Sequence, residues 1–187
     1  MKKTLLVLMI AGLASIAYPR EVRILGGISI SRSSEPLVSG FPEVTLEGHK
    51  LSGTSFGAGL TFSLARYVDL EIDGLFLQKG AGATFFFEGQ PVDIHHVRVN
   101  ELSFPVLLKL GVTQGTGPYF VGGGELAWVL TRGLTNPEFG IILGIGFRGE
   151  VGKTAISLEG RYHLGMTDFR TSMRKMRTIV LLVGFSL

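Results

Sequence analysis

Asp93, His95 and His96 stand together in one polar stretch, and carboxylate and imidazole are good ligands for divalent ions. The spacing works against a metal site, because adjacent residues of an extended segment face opposite ways and His95 and His96 would point apart. A solvated loop is the better reading. Glu159, Arg161 and His163 fall at alternate positions, hence on one face of a strand, where histidine as general base would suit a lipid-modifying hydrolase. On strand parity, however, all three face away from the lipid, and no serine lies at a convincing spacing toward it. Gly122-Gly123-Gly124 is no phosphate loop, since no lysine follows and no helix opens behind it to hold an anion. Thr84-Phe85-Phe86-Phe87 is an apolar cluster in a connecting segment, which suits either a partner site or a continuation of the flanking strands. The residues therefore assign no catalytic, cofactor-binding or metal-ligating position, and the chain is read as a non-enzyme without a cofactor.

What positions these groups follows from the alternation of the chain. Apolar residues recur at every second position: Val22, Ile24, Ile28 and Ile30; then Phe56, Ala58, Leu60, Phe62 and Leu64; then Val68, Leu70, Ile72 and Phe76. The same period continues in Leu102 to Leu110, Phe120 to Leu130, Phe139 to Phe147, Ile156 to Leu164 and Ile179 to Leu187. Eight strands result, near residues 22–31, 54–65, 68–78, 97–110, 119–130, 139–151, 154–164 and 178–187. Short connections (Arg66, 111–117, 152–153) take turns with longer ones (32–53, 79–96, 131–138, 165–177). Transmembrane barrels have this form: even strand number, short periplasmic turns, longer outer loops.

The chain opens Met1-Lys2-Lys3, runs apolar from Leu5 to Ala17 and breaks at Tyr18-Pro19-Arg20. A basic start, an apolar core and the small residues Ser15 and Ala17 read as a signal peptide, residues 1–17, cleaved after Ala17 to leave a barrel domain of residues 18–187. The apolar run falls short of the ~20 residues a spanning helix needs. Cysteine is absent, which excludes disulfides and thiolate chemistry. Losing Lys2 and Lys3 lowers the formal net charge from +3 by two, to +1, so no basic patch argues for nucleic acid.

Parity alone cannot say which face is outside. The polar face is rich in Gly, Ser and Thr and carries Asp69, Glu71, Asp73, Glu101, Glu125, Glu150 and Glu159 with Arg23, Lys109, Arg148 and Arg161. Small residues and pairable charges suit a narrow lumen, where burial is tolerable only for charges that are paired. An interior ion-pair network is therefore expected, with Phe56, Phe62, Tyr67, Phe76, Phe104, Phe120, Trp128, Phe139, Tyr162 and Phe185 supplying a lipid-facing aromatic girdle. Eight strands leave room only for side chains, so a general diffusion pore is not expected.

Four segments occur in order: 75–81 (LFLQKGA), 101–109 (ELSFPVLLK), 117–123 (GPYFVGG) and 161–166 (RYHLGM). In order and spacing they make the chain resemble the PorT-like outer-membrane β-barrel family across nearly all its mature length. The resemblance implies an eight-stranded barrel of the cell outer membrane; some relatives are linked to protein secretion. The chain departs from many outer-membrane barrels in its end: Phe185 is third from last, where an aromatic residue read by the assembly machinery usually stands last.

The reading is an all-β, closed antiparallel transmembrane barrel, multi-pass in the outer membrane of a Gram-negative envelope, with a structural or partner-binding role. Its expected partners are outer-membrane lipids, the barrel assembly machinery during insertion, and envelope or secretion proteins at the outer loops. The alternatives are a soluble periplasmic barrel carrying a small apolar ligand and, remotely, a lipid-modifying enzyme acting through His163.

Overall fold

The computed structural model describes residues 19–33, 44–87, 90–111, 116–131, 137–152, 154–166 and 176–186. They form eight strands: β1 (Glu21–Ser33), β2 (Val44–Ala65), β3 (Val68–Phe87), β4 (Gln90–Gly111), β5 (Gly117–Val129), β6 (Glu138–Val151), β7 (Thr154–Gly165) and β8 (Met176–Ser186). Each pairs antiparallel with its sequence neighbour, and β8 returns to β1, so the sheet is a closed barrel. The expected signal peptide lies outside the described residues.

The barrel is inside out relative to a soluble one. Along β8 burial alternates without a break, and the exposed set is Arg177, Ile179, Leu181, Val183 and Phe185. Ile145 is 63% exposed and Arg161 1%. The apolar face expected to meet lipid is thus the outer face, and the charged face lines the lumen. Aromatic residues follow the same rule: Phe56, Tyr67, Phe104, Phe120, Trp128, Phe139 and Phe185 are exposed, with Phe56 stacked on Phe76 at 5.0 Å and Phe104 edge-on to Trp128 at 5.5 Å. Phe62, expected among them, is buried.

Glycines make the narrow lumen possible. Gly146 lies opposite Tyr119 in the β5–β6 register, and a β-carbon there would overlap the tyrosine ring. Gly59 opposite Asp73, and Gly140 opposite Glu125, vacate space in the same way. At the β6–β7 turn, Gly152 has φ 64°, a left-handed conformation that glycine adopts without steric cost.

Strand length departs from expectation. β2, β3 and β4 run for 22, 20 and 22 residues, against 11 to 14 in the other five. A membrane-spanning strand needs only about 9–11. β1 pairs with β2 no further than Ser31↔Leu51, and β5 with β4 no further than Val129↔Glu101. Beyond these rows residues 44–50, 81–87 and 90–98 continue as a three-stranded sheet that rises from the long-loop rim by roughly 23 Å of strand at ~3.3 Å per residue. Much of segments 32–53 and 79–96, expected as loops, is therefore strand, including the positions Thr84 to Phe87, Asp93, His95 and His96. A register shift between Lys50 and Ser55 marks where β2 leaves the barrel wall.

Candidate functional site

Alternation on β3 sets Glu71, Asp73, Leu75, Leu77 and Lys79 on the lumenal face, and this order defines the interior. Two charged layers are separated on this side by an apolar one.

In the layer nearer the short turns, Arg161 of β7 is the hub. Its Nη1 donates to Asp73 Oδ2 at 2.6 Å, its Nη2 to Glu71 Oε1 at 2.6 Å, and its Nε to Glu159 Oε2 at 2.8 Å. Arg23 of β1 bonds Glu71 and Glu159 and donates to Ser157 Oγ at 2.9 Å. Tyr119 Oη donates to Glu159 Oε1 at 2.7 Å, and Lys109 Nζ lies 3.4 Å from Glu71 and 4.0 Å from the centre of the Tyr119 ring. Two guanidiniums and an ammonium stand against Glu71, Asp73 and Glu159, so the formal charges cancel. That balance makes burial tolerable, since an unpaired charge here would cost several kcal/mol. Toward the short-turn mouth the network opens on a polar recess of about 440 Å³ lined by Arg66, Asp69, Lys109, Tyr119, Arg148 and Glu150, among others. Arg148 bridges to Glu21 at 2.6 Å at this rim.

The apolar layer consists of Leu25, Leu75, Leu77, Val180 and Leu182, with Leu107, Val121 and Ile142 packed around Tyr119 on the other side. Above it, Lys79 Nζ sits 2.5 Å from Glu101 and 3.6 Å from Glu138, each on a different strand. His163 Nδ1 meets Glu125 Oε2 at 2.9 Å, and Ser103 Oγ donates to the same oxygen at 2.7 Å.

The expected ion-pair network is present, with differences in membership. Asp69, Arg148 and Glu150 belong to the short-turn mouth, and Glu150 is exposed. Lys79 and Glu138, expected in connecting segments, lie in the upper layer. Strand parity was the signal that could have found them: Lys79 follows Glu71 and Asp73 at even spacing, and Glu138 precedes Gly140 and Ile142 in the same way.

Glu159, Arg161 and His163 share the lumenal face as expected, but Glu159 and Arg161 are held in ion pairs and His163 is 1% exposed. The serine, glutamate and histidine that do meet are Ser103, Glu125 and His163, with the carboxylate in the middle. A hydrolytic triad needs histidine in the middle, bonded to the nucleophile on one side and the carboxylate on the other. This arrangement orients no nucleophile.

Inward charges, an outward apolar belt and eight closed strands give the fold of the small outer-membrane β-barrels. No family model matches the chain, and no curated protein sequence matches it. In structure it is similar to the outer membrane protein OprG from Pseudomonas aeruginosa (TM-score 0.51, 12% identity, 89% of this chain and 95% of that one). It is likewise similar to the outer membrane protein AlkL, solved in DMPC bilayers (TM-score 0.52, 11% identity, 89% and 88%). Ail, the attachment invasion locus protein of Yersinia pestis, aligns at a TM-score of 0.46 with 16% identity over 89% and 98%.

Proposed function

We propose that this chain is an integral outer-membrane barrel, closed to diffusion, that displays the β2–β4 extension and the neighbouring long connections to a protein partner of the envelope. The observation that carries this reading is the pairing of a filled lumen with three strands about twice as long as a membrane crossing requires. A pore would need an open axis, and the axis here is crossed by Arg23, Arg161 and their carboxylates. An anchor without a display role would not need the extra strand length.

Delivery by a signal peptide of residues 1–17, insertion by the barrel assembly machinery, and contact of Phe56, Leu143 and Ile145 with membrane lipid belong to the same proposal. So does kinship with PorT-like barrels and their link to secretion, which the four ordered motifs support. The soluble-carrier alternative has less in its favour, since a carrier holds its ligand in an apolar cavity and this lumen is filled by salt bridges.

Heat-modifiability of the unboiled band together with carbonate extraction of the envelope tests the embedded state. A shifted, membrane-retained band supports it, and release into the soluble fraction refutes it. Planar-bilayer recording tests the closed axis: steady open-channel currents from the purified barrel would overturn that part.

A further inference from the structure

Gly122 of β5 and Gly160 of β7 face outward, in parity with Phe120 and Leu158, and the packing of the barrel does not demand them. A β-carbon at Gly122 would come no nearer than 3.4 Å to a neighbour, Leu143 Cδ2, and one at Gly160 no nearer than 3.6 Å, to Leu181 Cδ2. Both are ordinary contacts, unlike the overlap with Tyr119 at Gly146. Glycine weakens a strand, and inside one it often marks a place where a ligand approaches the backbone. Here it deepens the outer wall. One depression of about 760 Å³ lies among Leu108, Phe120, Leu143 and Tyr162, over Gly122 and Gly160. A second, of about 650 Å³, lies among Ile28, Phe147, Leu158 and Val183. Ile145 and Gly160 border both, so the two are arms of one trough. The charged residues of this stretch, Glu159 and Arg161, turn inward to the lumenal network and leave the trough an apolar lining.

We propose that this trough seats the two acyl chains of one membrane phospholipid, one in each arm; the proposal rests on the embedded reading of the barrel. The trough is continuous with the outward apolar belt of Ile24, Phe56 and Val106, and Gly160 stands at the middle of β7, so hydrocarbon reaches it before headgroups or water do. Inside a bilayer nothing is gained by hiding apolar surface from lipid, and what holds a chain is dispersion contact, which an unfilled hollow forfeits. A chain lying in the trough is touched on three sides, against one on a convex wall. A second barrel fits worse, because two convex walls meet along a narrow strip, whereas a polymethylene chain bends to follow the two arms.

The test places the refolded chain in phosphatidylethanolamine vesicles, part of whose lipid carries a photoactivatable diazirine midway along an acyl chain, and maps the adducts by mass spectrometry. Labelling at Leu143, Ile145 and Tyr162 should exceed that at Phe56 and Ile72, on the far side of the belt, by about threefold or more. G122L and G160L, which fill the floor, should each remove that excess. G74L serves as control: Gly74 also faces outward, a β-carbon there meets nothing nearer than 3.9 Å, and it borders neither arm, so the excess should persist. The map of the parent chain decides the matter even if a variant lacks the heat-modifiable band. Even labelling around the belt, an excess that survives G122L and G160L, or L143C barrels that cross-link to one another in place of taking label overturns the seat while leaving the embedded barrel intact. Release of the chain by carbonate overturns both.

Discussion

Arg161 on β7 and Asp73 on β3 meet across the lumen at 2.6 Å, and the side chains of both are fully excluded from solvent. Two strands that share no backbone hydrogen bond are thereby tied through the axis. Because Arg161 also bonds Glu71 and Glu159, removing it leaves three carboxylates facing each other with only Arg23 and Lys109 to compensate. R161M should therefore destabilise the barrel by about 3–5 kcal/mol, the usual cost of breaking a buried pair from one side. Urea unfolding in detergent measures this. D73N in the R161M background should recover part of the loss by removing one uncompensated charge; a double variant less stable than R161M would argue against a charge-balanced interior.

Gly146 and Tyr119 form a matched pair in which the absent side chain makes room for the ring. G146A should cost about 1–3 kcal/mol, as overpacking does. In a Y119A background the same substitution should cost little, because the overlap has gone. This non-additivity is read from a double-mutant cycle. Equal costs in both backgrounds would mean that the ring does not occupy the space over Gly146.

The outward apolar belt predicts a depth profile. Leu143, 56% exposed in the middle of β6, should meet the bilayer centre, whereas Val151, 67% exposed, stands at the short-turn end. L143R should cost about 2–4 kcal/mol and V151R about 0–1 kcal/mol, measured by unfolding from lipid vesicles. Equal small costs would be the behaviour of a water-facing wall and would revive the soluble reading.

How much of this could be read from the chain follows from where the alternation comes from. Period two arises when one strand face meets lipid and the other meets a packed interior, so Phe56 to Leu64 and Ile179 to Phe185 show their faces plainly. The rule fails at Leu75-Phe76-Leu77, where lumenal and lipid-facing residues are all apolar, and the apolar layer of the interior was hidden for that reason. It falls silent beyond the last rows paired with β1 and β5, where the backbone ladder of β2, β3 and β4 continues outside the closed barrel wall. Residues 44–50 and 81–96 therefore read as loops, and Lys79, at the edge of the alternating pattern, falls with them although the structure sets it in the lumen. The register shift between Lys50 and Ser55 is an irregularity that no periodicity reveals.

The rows that close the barrel lie below the extension: β1 engages residues 51–61 of β2, and β5 engages residues 101–111 of β4. A variant in which residues 82–96 are replaced by Asn-Gly, a two-residue hairpin turn, would bring Ala81 and Val97 together as the last pair of β3 and β4. Lys79, Glu101 and Glu138 would keep their places, and β2 would end near Lys50. The variant should still give a heat-modifiable band, with unfolding stability within about 1 kcal/mol of the parent. Any envelope protein cross-linked through the extension in the parent should no longer be recovered. If the shortened barrel fails to fold, the long strands are part of the scaffold and not a displayed surface. If it folds and still captures the same partner, the docking surface lies on other connections of the long-loop rim.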